Sequence, residues 1–292
     1  MEPRISGFDY QRVPVAEGVS LNAAVGGSGS PLVLLHGFPQ THLMWRHVAA
    51  DLAADHTVIC PDLRGYGDSD KPADTDGGAY SKRTMAADVV ALAAALGHDR
   101  FALAGHDRGA LVAIRAGLDH PDTVTHLASL DVLPTLDMWD VMHGVTAAVG
   151  FHLYLMAQPP GLPEALIGAE PDAFFGHFLD IWARDPEAIP APVRAAYLRA
   201  SREAVPSIVA DYRASAGVDV RDDEADRAAG RRLRMPVSVL QQDWGAALGF
   251  DAAARWREWA QDLHHSTLSC GHFMAEEDPA EIVKALRALL SR

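Results

Sequence analysis

The apolar run Phe101-Ala102-Leu103-Ala104 leads directly into Gly105-His106-Asp107-Arg108-Gly109, and this junction decides how the rest of the chain reads. A short apolar run bounded by glycine is a buried strand. Glycines on either side of a central residue allow the sharp turn that carries a strand into a helix. This is the G-x-nucleophile-x-G pattern, with a carboxylate where most such turns carry serine. The exchange changes the chemistry. A serine alkoxide attacks carbonyl carbon, whereas a carboxylate doing so would form an anhydride. A carboxylate can instead displace a leaving group from saturated carbon, giving an alkyl ester that water then cleaves. The helix expected from Arg108 aims its amide dipoles at Asp107 and keeps it ionised.

Working outward, short apolar runs alternate with helical stretches up to about residue 135. Phe8–Val15 and Val19–Val25 read as a hairpin around Ala16-Glu17-Gly18. Leu32–Leu35 is a buried strand ending in His36-Gly37-Phe38-Pro39, and Thr41 caps a helix running to about Leu52. Thr57–Cys60 is the next strand, and Asp62–Ser69 is loop. Thr84–Leu96 is helical and stops at Gly97. Arg108–Asp119 is the helix leaving the turn, and His126–Leu130 is a strand. Such alternation predicts a mostly parallel central sheet with helices on both faces.

From Pro134 to about Gly230 the strand signals vanish. Aromatic and methionine side chains concentrate there (Met138, Trp139, Met142, Phe151, Tyr154, Phe174, Phe175, Trp182), with prolines punctuating short helices. We read residues 135–230 as an inserted helical cap, and residues 1–134 and 231–292 as the core. The charged run Arg221–Arg234 reads as a solvated return linker. Sheet character resumes at Pro236–Leu240 and His265–Leu268, and Pro279–Leu290 is a closing amphipathic helix.

The 25 basic and 39 acidic residues leave a formal net charge of −14, which argues against nucleic-acid or anionic-membrane partners. Cys60 and Cys270 are too few for a disulfide framework and lack metal-ligand spacing. Met1-Glu2-Pro3-Arg4 opens no apolar signal segment, and no uncharged stretch approaches the ~20 residues that span a bilayer. A cytoplasmic, soluble protein is the expectation.

His272, in Cys270-Gly271-His272-Phe273 between the last strand and the last helix, is the candidate base that activates water. For the acid orienting it, Asp131 follows the strand His126–Leu130, while Asp243 and Asp251 are rivals beyond Pro236–Leu240. The Phe38 amide, paired with that of Arg108, is placed to bind an oxyanion. The Arg108 guanidinium either neutralises a buried aspartate or grips a substrate carboxylate with its fork.

Together these residues resemble the haloacid-type dehalogenases of the α/β-hydrolase superfamily. The similarity runs over nearly the whole chain, through His36–Gln40, Asp62–Ser69, the Gly-His-Asp-Arg-Gly turn, Leu130–Thr135, Ala157–Glu164, Asp211–Ala214 and Gly271–Phe273. The resemblance implies an α/β-hydrolase fold with Asp107 as nucleophile, His272 as base, Asp131 as acid and Arg108 as carboxylate anchor. It further implies that His152 and Tyr212 donate hydrogen bonds to a departing halide. Two positions depart from the family pattern: Leu111 stands where a second arginine is usual, and Leu153 where a tryptophan is usual. Together they point to a larger, less polar substrate than the family norm, with defluorination open.

The leading expectation is therefore a hydrolytic dehalogenase acting on a small haloacid through an aspartyl ester, without metal or organic cofactor. A homodimer through exposed apolar side chains of the cap is also expected. An epoxide hydrolase shares the Asp–His–Asp chemistry and would draw its acids from Tyr154, Tyr197 and Tyr212, but such enzymes usually have tryptophan after the nucleophile. A non-catalytic binder of small molecules has no need of three triad positions, and a serine esterase lacks its serine.

Overall fold

In the computed structural model, which describes residues 3–243 and 248–292, the expected hairpin forms from β1 (Asp9–Ala16) and β2 (Val19–Gly27). The remaining strands are β3 (Ser30–Leu35), β4 (His56–Pro61), β5 (Phe101–His106), β6 (Val124–Leu130), β7 (Val237–Gln241) and β8 (Leu263–Thr267). They pair in the order β1-β2-β4-β3-β5-β6-β7-β8. The β1/β2 and β2/β4 pairs are antiparallel and every other pair is parallel.

Alternation along the central strands explains why both faces are covered. Val33, Leu35 and Leu103 pack with Met85, Val89 and Leu92 of α2 (Lys82–Ala95) and with Ala110 and Val112 of α3 (Arg108–Asp119). Their neighbours Leu32, Leu34, Ala102 and Ala104 face the other way. There they meet Val48 and Leu52 of α1 (Arg46–Leu52) and the Ile282, Leu286 and Leu289 stripe of the closing helix. Each valine, leucine, isoleucine or methionine among them taken out of water is worth about 1.5–3 kcal/mol. Thr41 caps the turn before α1, and Gly97, at φ +87°, ends the stretch after α2, as expected.

Between β6 and β7 the chain forms only helices: α4 (Thr135–Val141), α5 (Phe151–Met156), α6 (Leu162–Ala169), α7 (Pro171–Ile181), α8 (Ala191–Arg202), α9 (Val205–Ser215) and α10 (Val218–Ala228). Among the described residues, α11 (Ala252–Arg257), α12 (Met274–Glu277) and α13 (Pro279–Leu290) follow β7. No helix among the described residues is long and apolar enough to cross a membrane.

The run Arg221–Arg234 corrects the reading of a solvated linker. Much of it is α10, whose Asp223 and Asp226 are buried against Arg115 of α3. Composition alone gave no sign that a cation 108 residues upstream of Asp223 would turn one face of this run inward.

A second buried ion cluster joins the insertion to the core. Asp211 of α9 accepts from Arg108 Nε at 2.8 Å, from Arg108 Nη2 at 2.9 Å and from the Tyr66 hydroxyl at 2.6 Å, and it is also bound by Lys82. Burial alone would raise the pKa of this carboxyl, but the Arg108 and Lys82 charges hold it well below the usual carboxylate range. Removing one member of such a set strands the others as buried charges. Asp211→Ala is expected to lower stability by about 3–5 kcal/mol, with Asp211→Asn intermediate because it keeps an acceptor. The urea midpoints of the two variants, compared with the parent, check this.

Candidate active site

Asp107 occupies the turn between β5 and α3 with φ 48°, and Asp131 follows β6 with φ 57°. These are the only non-glycine residues with positive φ among those described, and both are sequence-derived site positions. A non-glycine residue held there costs on the order of 1–3 kcal/mol, which the surrounding sheet must supply. Gly105 and Gly109 make the turn feasible. A Cβ on Gly105 would strike the Gly109 carbonyl, and one on Gly109 would strike the carbonyls of Leu35 and His36.

The Phe38 amide donates to Asp107 Oδ1 at 2.7 Å. One carboxylate oxygen is thus already held at an expected oxyanion donor. The Arg108 amide, the second expected donor, sits in the first turn of α3, where backbone N–H groups have no intrahelical acceptor.

His272 Nδ1 lies 2.7 Å from Asp131 Oδ2. Asp131 is further bound by the Gln242 amide N–H, 2.8 Å from Oδ1, and by the Gln242 side chain, 2.6 Å from Oδ2. Burial pushes the Asp131 carboxyl up, but its bond to His272 and the two from Gln242 bring it below the ordinary value. Burial pushes the His272 imidazole down, but Asp131 outweighs it and leaves His272 above its usual value. With Nδ1–H spent on Asp131, Nε2 is the remaining basic nitrogen, and among the described residues it has no hydrogen-bond partner. Of the rival acids, Asp251 caps α11 by accepting from the Ala254 amide, and Asp243 lines a neighbouring depression.

Above Asp107 lies a cavity of about 370 Å³. His152 of α5 and Tyr212 of α9 enter it from the insertion, and Nδ1 of the one and the hydroxyl of the other are buried with no partner among the described residues. Burial lowers His152 to about 3 and raises Tyr212 well above the usual phenol value, so both are neutral near pH 7. Leu111, Met138, Met142, Val149, Leu153 and Ile181 make the rest of the wall largely apolar. Both departures from the family pattern, Leu111 and Leu153, therefore face this space.

Arg108 also lines the cavity, but one side of its fork is already filled. Nε and Nη2 bind Asp211, and Nη2 also reaches Ser215 Oγ at 2.6 Å. Nη1 makes no hydrogen bond among the described residues, which leaves one arm for a ligand. The Tyr212 ring stacks 4.1 Å from the guanidinium carbon. Of the other tyrosines, Tyr154 bonds the Met142 carbonyl and Tyr197 bonds Glu276, and neither lines the cavity.

Asp211 and Gln242 carried no role in the sequence reading. Asp211 stood beside Tyr212 in a quoted stretch, and only its partner 103 residues away reveals what it does. His106 was also passed over. Its Nε2 donates to the His272 carbonyl at 2.8 Å, and burial lowers its pKa to about 4, so it stays neutral. Among the described residues no group of three or more His, Cys, Asp or Glu is placed to hold a metal ion.

A strained acidic residue on a strand-to-helix turn, with an Asp–His pair converging on it from later strand ends, defines a hydrolase site. The chain belongs to the α/β-hydrolase family, whose fold model matches residues 30–156. It is 38% identical to fluoroacetate dehalogenase of Burkholderia sp over 98% of this chain and 94% of that protein. It is 33% identical to soluble epoxide hydrolase of Corynebacterium sp. (strain C12), over 91% and 92% of the two chains. The crystal structure of ALR0039 from Nostoc sp PCC 7120 superposes with a TM-score of 0.94 at 40% identity, covering 99% of this chain and 100% of that one.

A pH dependence follows from the imidazole. A general base must be neutral to take a proton from water, and the pKa of His272, the expected base, lies above the usual 6.5. Turnover should therefore rise with pH through an inflection above that value. Asp131→Asn removes the main upward influence, so its residual activity, roughly 10²–10⁴-fold lower, should inflect at lower pH. A pH–rate profile of both proteins checks the direction.

Proposed function

We propose that this hydrolase is a dehalogenase that cleaves the carbon–halogen bond of a small haloacid through an ester of Asp107. One observation carries the reading: His272 Nε2, His152 Nδ1 and the Tyr212 hydroxyl are buried polar atoms with no partner among the described residues, and all three residues face the cavity above Asp107. Buried polar groups are rarely left unpaired, and when they are, a ligand or water that completes them is the ordinary explanation.

In the first half-reaction Asp107 Oδ2 attacks the carbon in line with the halogen. The carbon–halogen bond breaks, its electron pair leaves with the halide, and the N–H of His152 and the O–H of Tyr212 receive the ion. In the second, His272 Nε2 takes a proton from water as the oxygen adds to Asp107 Cγ. Negative charge builds on Oδ1, where the Phe38 amide already points. Collapse returns the carboxylate and releases the hydroxy acid, which takes the proton from His272. Asp131 keeps the imidazole in the tautomer this requires.

The free Nη1 arm of Arg108 supports one contact to a substrate carboxylate, and the apolar wall supports carbon beyond the two of a haloacetate. A 2-halo acid with a short alkyl tail suits this combination better than fluoroacetate. The name of the Burkholderia relative agrees with the reaction class.

One observation favours a second reading. Neutral His152 and Tyr212 would serve an opening epoxide oxygen as readily as a halide, and a relative named soluble epoxide hydrolase matches most of the chain. Against it, Tyr154 and Tyr197 are engaged away from the cavity. A binder without turnover gains nothing from the Asp–His pair.

Free halide from 2-chloropropionate, chloroacetate, bromoacetate and fluoroacetate, set beside diol from styrene oxide, tests the ranking. Halide release is expected, fastest with 2-chloropropionate and lost in Asp107→Asn. Diol formation by a folded protein that releases no halide would reverse the two readings.

A further inference from the structure

The loop that carries His272 is held from two directions, and one of them is the insertion. After β8 the chain passes through Ser269, Cys270 and Gly271 to His272, then turns into the short α12 that ends at Glu277. Glu277 folds back on this loop. Its Oε2 accepts the Gly271 amide at 2.9 Å, the Arg184 amide at 3.0 Å and the Asp185 amide at 3.1 Å. Residues 184 and 185 belong to the segment leaving α7, so one carboxylate oxygen ties the base's loop to the insertion. Two further contacts close the same seam. The His272 amide donates to the Trp182 carbonyl at 2.9 Å, and Arg184 Nη1 donates to Ser269 Oγ at 2.8 Å. No side chain fits at Gly271, where a Cβ would meet Glu277 Oε1, the Arg184 nitrogen and the Trp182 carbonyl oxygen.

The imidazole is aimed by Asp131, but its Cα is placed by this seam. A bond to Asp131 fixes the direction of the ring and leaves its distance from Asp107 to the backbone. We infer that Glu277 is a positioning residue for the general base, acting through three backbone amides, and that it governs the second half-reaction while leaving the first untouched. This rests on the ester reading above, in which Asp107 attacks carbon without help from His272 and only the attack of water on Cγ uses Nε2. A displacement of about 1 Å in a catalytic group costs up to 10²-fold, and that cost would fall on one step only.

The test uses Glu277→Ala and Glu277→Gln with bromoacetate and with styrene oxide, mixed rapidly and quenched. The alanine variant is expected to alkylate Asp107 at the parent's rate, to accumulate the ester in the Asp107 peptide by mass, and to turn over roughly 10-fold more slowly. The glutamine variant keeps an amide-accepting oxygen and should restore turnover to within about threefold of the parent. Ester formation and turnover falling together in the alanine variant, as for damage to the fold, would overturn the inference, and so would no fall in either. Hydrogen exchange reads the seam independently of chemistry. The peptide covering 269–273 should exchange about 10-fold faster in the alanine variant, and unchanged exchange refutes the clamp. If the parent itself forms no ester with either probe, the ester reading fails, while the exchange result still judges the clamp.

Discussion

A single buried carboxylate, Asp211, holds the two halves of the cavity in register. It draws Arg108 from α3, Lys82 from α2 and Tyr66 from the loop after β4 onto one side chain of the insertion. Its neighbour Tyr212 then has no choice of position. The ring lies against the Arg108 guanidinium with its hydroxyl left over for the cavity. Charges withdrawn from water must be answered in kind, and here that demand fixes where the Tyr212 hydroxyl stands relative to Asp107. The same demand limits Arg108, whose charge is largely spent inside the protein before any substrate arrives.

Much of the core was legible because its signals are local. The glycine-flanked turn at Asp107, the helix Arg108–Asp119 and the closing helix Pro279–Leu290 each depend on residues within a few positions, and they form with the expected bounds. The hairpin at Ala16-Glu17-Gly18 and the cap at Thr41 are of the same kind. The site was legible in its types more than in its partnerships. Asp131 and Asp251 look alike in sequence. One sits at the end of β6 within reach of His272, and the other is consumed by capping α11. Tyr154, Tyr197 and Tyr212 look equally available until packing gives the first two other partners.

What stayed hidden is long-range pairing of charge. Asp211 with Arg108, Asp223 and Asp226 with Arg115, and Glu277 with the amides of 184 and 185 join segments roughly a hundred residues apart. In sequence each acidic residue carries the mark of a surface position, because carboxylates are buried only when something pays their desolvation. The partner supplying that compensation is visible only in three dimensions. Positive φ at Asp107 and Asp131 is of the same nature, since the strain is local but the structure that enforces it is the whole sheet.

The insertion leaves the sheet after β6 and rejoins it at β7, and these two strands lie side by side in parallel. Its entrance and exit are therefore close together, so the hundred or so residues between them hang from the sheet as a loop hangs from two adjacent pegs. The pairing of β6 with β7 does not depend on how long that loop is, whereas Asp211, Trp182, Arg184 and Asp185 tie it to α3 and to the loop of His272. The sheet thus presents Asp107 and Asp131 at adjacent strand ends, and the segment suspended from it closes the space above them.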